Sequence, residues 1–262
     1  MNSSEKMFLF DMDGTLTPPR GRITNRMISS LRKLSEIGRI GVVTGSDFDY
    51  VWDQMSYAFD IGGVPVDRID IMPCNGTKKY VTNPSRNFKL VHEAKMVEEI
   101  GHEPYGSIMR WCAGWQWDIM TTHQDLPYTG TFIQCRGSLV NWSPIGRAAN
   151  DDERKSWIER DNEKEIRKYY SRLLSEKFLL HDIKATAALG GSTSIDIYPQ
   201  GWDKTYALQH CADKDVYFTG DKCEPGGNDW HIYEALKGSG KAFKVQSPED
   251  TIKVIEKLIS SS

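Results

Sequence analysis

From Met7 to about Val81 the chain alternates short apolar runs with amphipathic stretches, the rhythm of βαβ units built on a parallel sheet. Phe8-Leu-Phe10 reads as a buried strand, and Ile40-Gly-Val-Val43 and Arg68-Ile-Asp-Ile-Met72 follow as the next strands. Between the first two, Thr24 precedes a stretch with Ile28, Leu31 and Leu34 on one face and Gly38 just beyond it, a helix with a start and a stop. Asp47 opens a second helix carrying Val51, Met55 and Phe59.

After Asn83-Pro-Ser85 the texture changes. Up to about residue 200 the chain holds Trp111, Trp115, Trp117, Trp142 and Trp157, has longer loops, and sets a helical pattern over Asn162 to Lys177 among strand-like pieces such as Gly130 to Cys135. Residues 84–201 are therefore expected to form an inserted α+β domain with its own aromatic core, and residues 1–83 with 202–262 an α/β core. Near Trp202 the α/β rhythm resumes, with a short helix from Lys204, a strand over Val216 to Thr219, a helix from Asn228 and a strand over Ala242 to Val245. The last helix has a legible start, with Ser247 as N-cap, Pro248 at the first position and Asp250 as the acidic partner of a capping box.

The first strand runs directly into Asp11-Met-Asp-Gly-Thr-Leu-Thr17. Two carboxylates, Asp11 and Asp13, thus emerge at a strand's carboxyl end, where ligands gather in open α/β sheets, and Gly14 lets the chain turn. One carboxylate can attack phosphorus while the other, past the pleat, shuttles a proton to or from the leaving oxygen. Together they offer hard oxygen ligands to Mg²⁺. An exposed acidic turn would carry the same two residues, so the rest of the chain has to decide. Asp221, in Phe218-Thr-Gly-Asp-Lys222, again follows an apolar strand and can complete the Mg²⁺ sphere, or serve as a turn or N-cap. Thr44, in Val42-Val-Thr-Gly-Ser-Asp47, ends another strand; its hydroxyl or that of Ser46 can donate to a phosphoryl oxygen, or cap a helix. Lys204, in Gly201-Trp-Asp-Lys-Thr205, could neutralise an acidic pocket, although most lysines are simply solvated.

In the inserted region Arg147 ends Asn141-Trp-Ser-Pro-Ile-Gly-Arg147, with Arg136 before it and Arg154 after it. Clustered guanidiniums can grip a phosphate by paired hydrogen bonds; surface arginines pairing with Asp151, Asp152 or Glu153 are the bland alternative. Ser194 and Asp196 share one face of a strand, a face able to receive sugar hydroxyls or simply polar and wet.

The formal charge of −3 gives no field for a polyanion, so nucleic acid is not an expected partner. Five cysteines, Cys74, Cys112, Cys135, Cys211 and Cys223, form no C-x-x-C pair and suit free thiols in a reducing compartment. No apolar run approaches the roughly 20 residues that span a bilayer. The start, Met1-Asn-Ser-Ser-Glu-Lys6, lacks the apolar core of a signal peptide, so no membrane and a cytoplasmic location are expected.

Asp-x-Asp-Gly-Thr, Val-Thr-Gly, a lysine at a helix start and Gly-Asp, in that order, resemble the haloacid dehalogenase (HAD) phosphotransferase superfamily. The resemblance implies a HAD-like Rossmannoid core with a parallel sheet and an inserted cap. It makes Asp11 the nucleophile, Asp13 the general acid/base, Thr44 and Lys204 phosphate holders, and Asp221 an Mg²⁺ ligand beside Asp11 and Asp13. Over nearly the whole chain it sharpens to the eukaryotic-type phosphomannomutases, through Arg20, Gly41 to Asp47, Asn75-Gly76, Asn141 to Arg147, Ser194-Ile-Asp196, Gly201-Trp-Asp-Lys204, Gly220-Asp-Lys222, Gly226-Gly-Asn-Asp229 and Ser247 to Asp250.

That family implies Mg²⁺-dependent, cytosolic, cap-mediated homodimers that interconvert mannose 6-phosphate and mannose 1-phosphate with a hexose 1,6-bisphosphate activator, feeding GDP-mannose synthesis. By the same similarity Arg20, Arg136, Arg147, Arg154, Ser194 and Asp196 bind the hexose phosphate, alongside Thr44 and Ser46. The chain departs from the pattern at Thr44, usually glycine, at Trp142, usually small, and at Cys223, usually threonine. The stretch before Arg136 looks about a dozen residues longer than the family pattern. Trp230 to Gly240 lacks the Asp and Thr that hold a second, structural cation in the family. A sugar-phosphate phosphatase on the same core, with water resolving the phosphoaspartate, is the rival reading.

Overall fold

The computed structural model describes residues 5–83 and 85–261 and divides into two compact units, Met1–Glu93 with Trp202–Ser262, and Ala94–Gly201. In the first unit the chain runs through β1 (Lys6–Phe10), α1 (Asn25–Leu34), β2 (Arg39–Val43), α2 (Phe48–Asp60), β3 (Ile69–Met72), β4 (Lys78–Thr82) and β5 (Phe88–Glu93). The second unit holds α3 (Met96–Ile100), α4 (His102–Thr122), β6 (Ile133–Cys135), β7 (Val140–Trp142), α5 (Asp151–Lys164), α6 (Ile166–Leu180), β8 (Ala185–Gly190) and β9 (Ser194–Pro199). Back in the first unit come a 3-10 helix over Lys204–Cys211, β10 (Asp215–Gly220), α7 (Trp230–Lys237), β11 (Ala242–Lys244) and α8 (Pro248–Ser260).

Seven strands make the sheet of the first unit, in the order β11-β10-β1-β2-β3-β4-β5. From β11 to β3 all pairs are parallel; β4 and β5 add an antiparallel hairpin at one edge. The period of two along β1 explains the layers. Phe8 and Phe10 enter a core shared with α1, α2 and α8, whereas Met7 and Leu9 enter one shared with the 3-10 helix and α7. Each such side chain contributes about 1.5–3 kcal/mol by leaving water. Thr24 caps α1, accepting from the Met27 N–H, and Asp47 caps α2, accepting from the Tyr50 N–H, so both helices start where the polar-to-apolar switch places them.

β5 corrects one boundary. It hydrogen-bonds to β4, so the chain leaves the core sheet at 93/94, not at 83/84, and it returns at 201/202. Most of its side chains are exposed, which removes the apolar signature of a strand. Pro84, within the turn read as a boundary, lies outside the described residues.

In the second unit a four-stranded antiparallel sheet, β6-β7-β9-β8, has Val140, Trp142, Ile195 and Ile197 on the face buried with the helices. Trp142 and Trp157 are wholly buried in one cluster and Trp111 and Trp115 pack against that cluster, but Trp117 is 71% exposed and outside this aromatic core. The helix read over Asn162 to Lys177 is two helices, broken at Glu165 in a left-handed conformation (φ 52°). The break holds because Asp161 accepts from the Arg167 N–H at 2.8 Å and from its Nε at 2.7 Å. Among the described residues no helix is long and apolar enough to cross a membrane.

Candidate active site

β1 lies between β2 and β10, so the chain reverses its direction of progress across the sheet there, and the carboxyl ends of these strands surround one crevice. Asp11 follows β1, pinned by its N–H to the Thr219 carbonyl at 3.0 Å, and Asp221 follows β10. Asp229 immediately precedes α7 and is fully buried. Lys204 starts the 3-10 helix, whose N-cap Asp203 accepts from the Thr205 N–H, and this short capped turn aims its stem inward. Its ammonium donates to Asp11 Oδ1 and, at 2.5 Å, to Asp229 Oδ1; Asp229 Oδ2 accepts from the Lys222 N–H at 3.0 Å.

Burial pushes Asp11 up to about 8; Lys204 opposes this, and Asp229 and Asp221 add to it. Burial also opposes the charge on Lys204, yet Asp11 and Asp229 hold its ammonium above the ordinary value. These shifts pull against each other across one contact. The ion pair is the state the geometry supports, because Nζ sits between oxygens of two carboxylates.

Asp11, Asp221 and Asp229 bring one oxygen each within 4.8 Å of the others. With Lys204 as the partnering cation, the cluster carries two net negative charges, which a divalent ion would balance. Asp221 Oδ1 is buried with no hydrogen-bond partner among the described residues. An all-oxygen donor set with an orphaned carboxylate oxygen fits a hard divalent cation such as Mg²⁺.

The side chain of Asp13, expected among the metal ligands, belongs to a different set. Its Oδ1 accepts from the Arg20 backbone N–H at 2.8 Å, the Tyr50 hydroxyl at 3.2 Å and Gln54 Nε2 at 3.3 Å. Asp229 takes its place in the acid trio. The sequence does carry a signal for it, an acid after Gly226-Gly-Asn at a helix start, but such an acid looks like a cap. Arg20 meets Asp13 through its main chain, at a left-handed φ of 58°, and its side chain is exposed.

Thr44 is buried just past β2, and its hydroxyl accepts from the Ser46 N–H at 3.1 Å, so it braces the turn and keeps its own proton to donate. Ser46 is half-buried and its carbonyl accepts from the Cys74 N–H. Asn75 accompanies them: its N–H donates to the Thr44 carbonyl and its Nδ2 to the Trp202 carbonyl.

The second unit carries a separate polar cluster on the sheet face opposite its core. Asn141 on β7 pairs with Asp196 on β9 and donates to Ser194 Oγ at 2.9 Å and Asp196 Oδ1 at 2.5 Å, while its own Oδ1 accepts from Arg147 at 2.9 Å. Burial raises Asp196; Arg136, Asn141, Arg147 and Arg167 oppose it. Gly190 on β8 makes room, since a Cβ there would lie 2.5 Å from Asp196 Oδ2. Arg136 is buried and donates to Gln134 Oε1; Arg154 donates to Thr193 Oγ1 at 3.3 Å. Arg167 donates to the Gly191 and Ser194 carbonyls. The structure thus brings Arg136, Arg147, Ser194 and Asp196 together, puts Arg154 on the adjoining Thr193, and adds Asn141 and Arg167. Guanidiniums outnumber carboxylates here, the balance that recognises a phosphate.

Residues 27–261 match the sequence model of the family described as eukaryotic phosphomannomutase. The chain is 34% identical to a phosphomannomutase of Schizosaccharomyces pombe over 97% of its length and 94% of that protein's. It is 33% identical to one of Saccharomyces cerevisiae, over 98% and 95%. Among solved structures it resembles an IMP-bound IMP-nucleotidase of Plasmodium falciparum (TM-score 0.66, 12% identity, 99% of this chain and 68% of that one). It also resembles a trehalose-6-phosphate phosphatase of Aspergillus fumigatus (TM-score 0.53, 16% identity, 99% and 94%). At such identities these two likenesses speak for the HAD fold alone.

Proposed function

The chain belongs to the eukaryotic phosphomannomutase family, and from that premise we propose that it moves a phosphoryl group between O6 and O1 of mannose through an aspartyl phosphate on Asp11. The observation that carries this reading is the buried Asp11–Lys204–Asp229 bridge, which holds the nucleophile beside a fixed ammonium. Asp11 attacks phosphorus as Asp13 protonates the departing sugar oxygen; Lys204 and the Thr44 and Ser46 hydroxyls meet the charge spread over the phosphoryl oxygens. Asp11, Asp221 and Asp229 would hold Mg²⁺, which when bound neutralises charge on the phosphoryl group.

For a mutase the phosphoaspartate must pass to the other end of a hexose monophosphate instead of to water. A hexose 1,6-bisphosphate activator primes that cycle. The guanidinium cluster of the second unit supports the reading, because a surplus of guanidiniums suits a phosphate and a mutase has to hold one that is not being transferred. The product, mannose 1-phosphate, would feed GDP-mannose synthesis. The cytosol is the proposed setting, supported by five free cysteines. A homodimer through the second unit is proposed as well; Trp117, Leu179 and Leu180, 71%, 86% and 74% exposed there, are candidates for its cover.

The deciding assay follows mannose 1-phosphate with and without trace glucose 1,6-bisphosphate while inorganic phosphate is measured. Activator-dependent conversion to mannose 6-phosphate without net phosphate release is expected. Stoichiometric phosphate release would assign the phosphatase activity instead, and full activity in Asp11→Asn would refute the aspartyl phosphate.

A further inference from the structure

Three donors, one from the loop after β1 and two from α2, converge on a single oxygen. The Arg20 N–H, the Tyr50 hydroxyl and Gln54 Nε2 all reach Asp13 Oδ1, at 2.8, 3.2 and 3.3 Å, and among the described residues no donor reaches Oδ2. Tyr50 and Gln54 lie one turn apart on α2, so one helix face presents both. The amide of Gln54 has a defined orientation. Thr17 Oγ1 donates to Gln54 Oε1 at 2.6 Å, which turns Nε2 toward Asp13, and both Thr17 and Gln54 are buried. Burial, then the neighbouring Asp13, pushes the Tyr50 phenol up to about 12, so it remains a donor at working pH.

We propose that Tyr50 and Gln54 are positioning residues for phosphoryl transfer: by occupying Oδ1 they orient Asp13 so that Oδ2 is the oxygen that exchanges a proton with the sugar. This rests on the reading of Asp13 as the acid/base and adds which of its oxygens acts and what aims it. In one direction the bond between phosphorus and the sugar oxygen breaks as the bond from phosphorus to Asp11 forms, and the proton on Oδ2 passes to the sugar oxygen, which leaves as a hydroxyl. In the other direction a sugar hydroxyl attacks the phosphorus of the aspartyl phosphate, the bond to Asp11 breaks, and the hydroxyl proton returns to Oδ2. A carboxylate free to rotate would offer Oδ2 in the wrong direction for part of the time, and a group misaligned by a fraction of its hydrogen-bond length loses transfer rate without losing substrate binding.

Leaving-group dependence separates aiming from general damage. A sugar alkoxide needs a proton to depart, whereas p-nitrophenolate departs without one, so only the first reaction depends on where Oδ2 points. Phosphorylation of Asp11 is followed by rapid quench in the full-length protein with Mg²⁺, using mannose 1-phosphate and p-nitrophenyl phosphate as donors, for wild type, Tyr50→Phe, Gln54→Leu and Asp13→Asn. In Tyr50→Phe the ratio of the sugar rate to the nitrophenyl rate is expected to fall about tenfold, a fraction of the 10²–10⁴ that a full acid/base supplies, with KM for the sugar phosphate within about twofold. Gln54→Leu is expected to follow it, and provides the same comparison if Tyr50→Phe does not fold. Asp13→Asn is expected to show the largest drop in the ratio. An unchanged ratio in both α2 variants, with the drop present in Asp13→Asn, overturns the positioning role alone. An unchanged ratio in Asp13→Asn overturns the acid/base reading beneath it.

Discussion

Gly14 lies directly against Asp221: a Cβ built on Gly14 would stand 2.6 Å from Asp221 Oδ2, and Gly14 has φ +82°. The turn after β1 and the turn after β10 can therefore close on each other only if this residue has no side chain. Gly14→Ala meets a backbone cost of about 1–3 kcal/mol. It also pushes Asp221 out of the acid trio, and a displacement near 1 Å at a reacting centre costs about 10²-fold in rate. Urea denaturation and mutase turnover measure the two effects separately. Wild-type turnover in Gly14→Ala would contradict the assignment of Asp221 to the centre.

Lys204 holds together acids that would otherwise repel. Replacing it with methionine keeps the volume but leaves Asp11, Asp221 and Asp229 crowded without their ammonium, and breaking a buried pair from one side costs about 3–5 kcal/mol. Excess Mg²⁺ should return part of that stability, and return more to Lys204→Met than to wild type, because the variant trio carries one more uncompensated charge. Thermal unfolding in EDTA and in Mg²⁺ gives the comparison. An equal Mg²⁺ response in the two proteins would argue against a cation held by these three carboxylates.

The acid side of the stability profile should depend on His210. Burial depresses this imidazole, its bond to the Gly76 carbonyl opposes that, and Lys79 and His92 depress it further while Asp70 acts against them. A depressed group stays neutral in the folded chain while the unfolded chain takes up the proton. Its contribution is therefore complete above the ordinary imidazole value of 6.5 and is lost as the pH falls toward the lower folded value. His210→Gln, which keeps a donor for the Gly76 carbonyl but does not titrate, should flatten the curve in that window. Denaturant midpoints taken across pH 5–7.5 in both proteins check it.

Local signals made the core legible. Thr24, Asp47 and Ser247 announce helices with their own side chains, and the apolar run of β1 ends on Asp11 without intervening loop. Elements whose cause is tertiary were not legible. The edge hairpin of β4 and β5 is mostly half-buried or exposed and lacks a core pattern, and the break at Glu165 depends on a carboxylate folding back onto the next helix. In the site, the acids after strands could be read from order along the chain. The partners of Asp13 could not, since Tyr50 and Gln54 lie 37 and 41 residues away and look like ordinary positions on an amphipathic helix. Asn141 was visible within its motif, but its bond to Asp196 required the register of β7 against β9.

That register yields the most direct check on the second unit. Asn141 joins Ser194, Asp196 and Arg147 through one side chain, donating to the first two and accepting from the third, and it is buried. Asn141→Ala removes the partner that Asp196 and Arg147 share, at a cost of about 1–3 kcal/mol for the hydrogen bonds lost to charged groups. If this cluster grips the phosphate that is not being transferred, the loss falls on binding: KM for mannose 1-phosphate should rise about tenfold and kcat change much less. Asn141→Asp should do worse, because it keeps an acceptor for Arg147 but sets a second carboxylate against Asp196, a like-charge contact in a buried place. Steady-state kinetics on the three proteins, with unfolding midpoints to subtract the structural part, separate the cases. An unchanged KM in both variants would leave the cluster a structural network and remove the second unit from phosphate recognition.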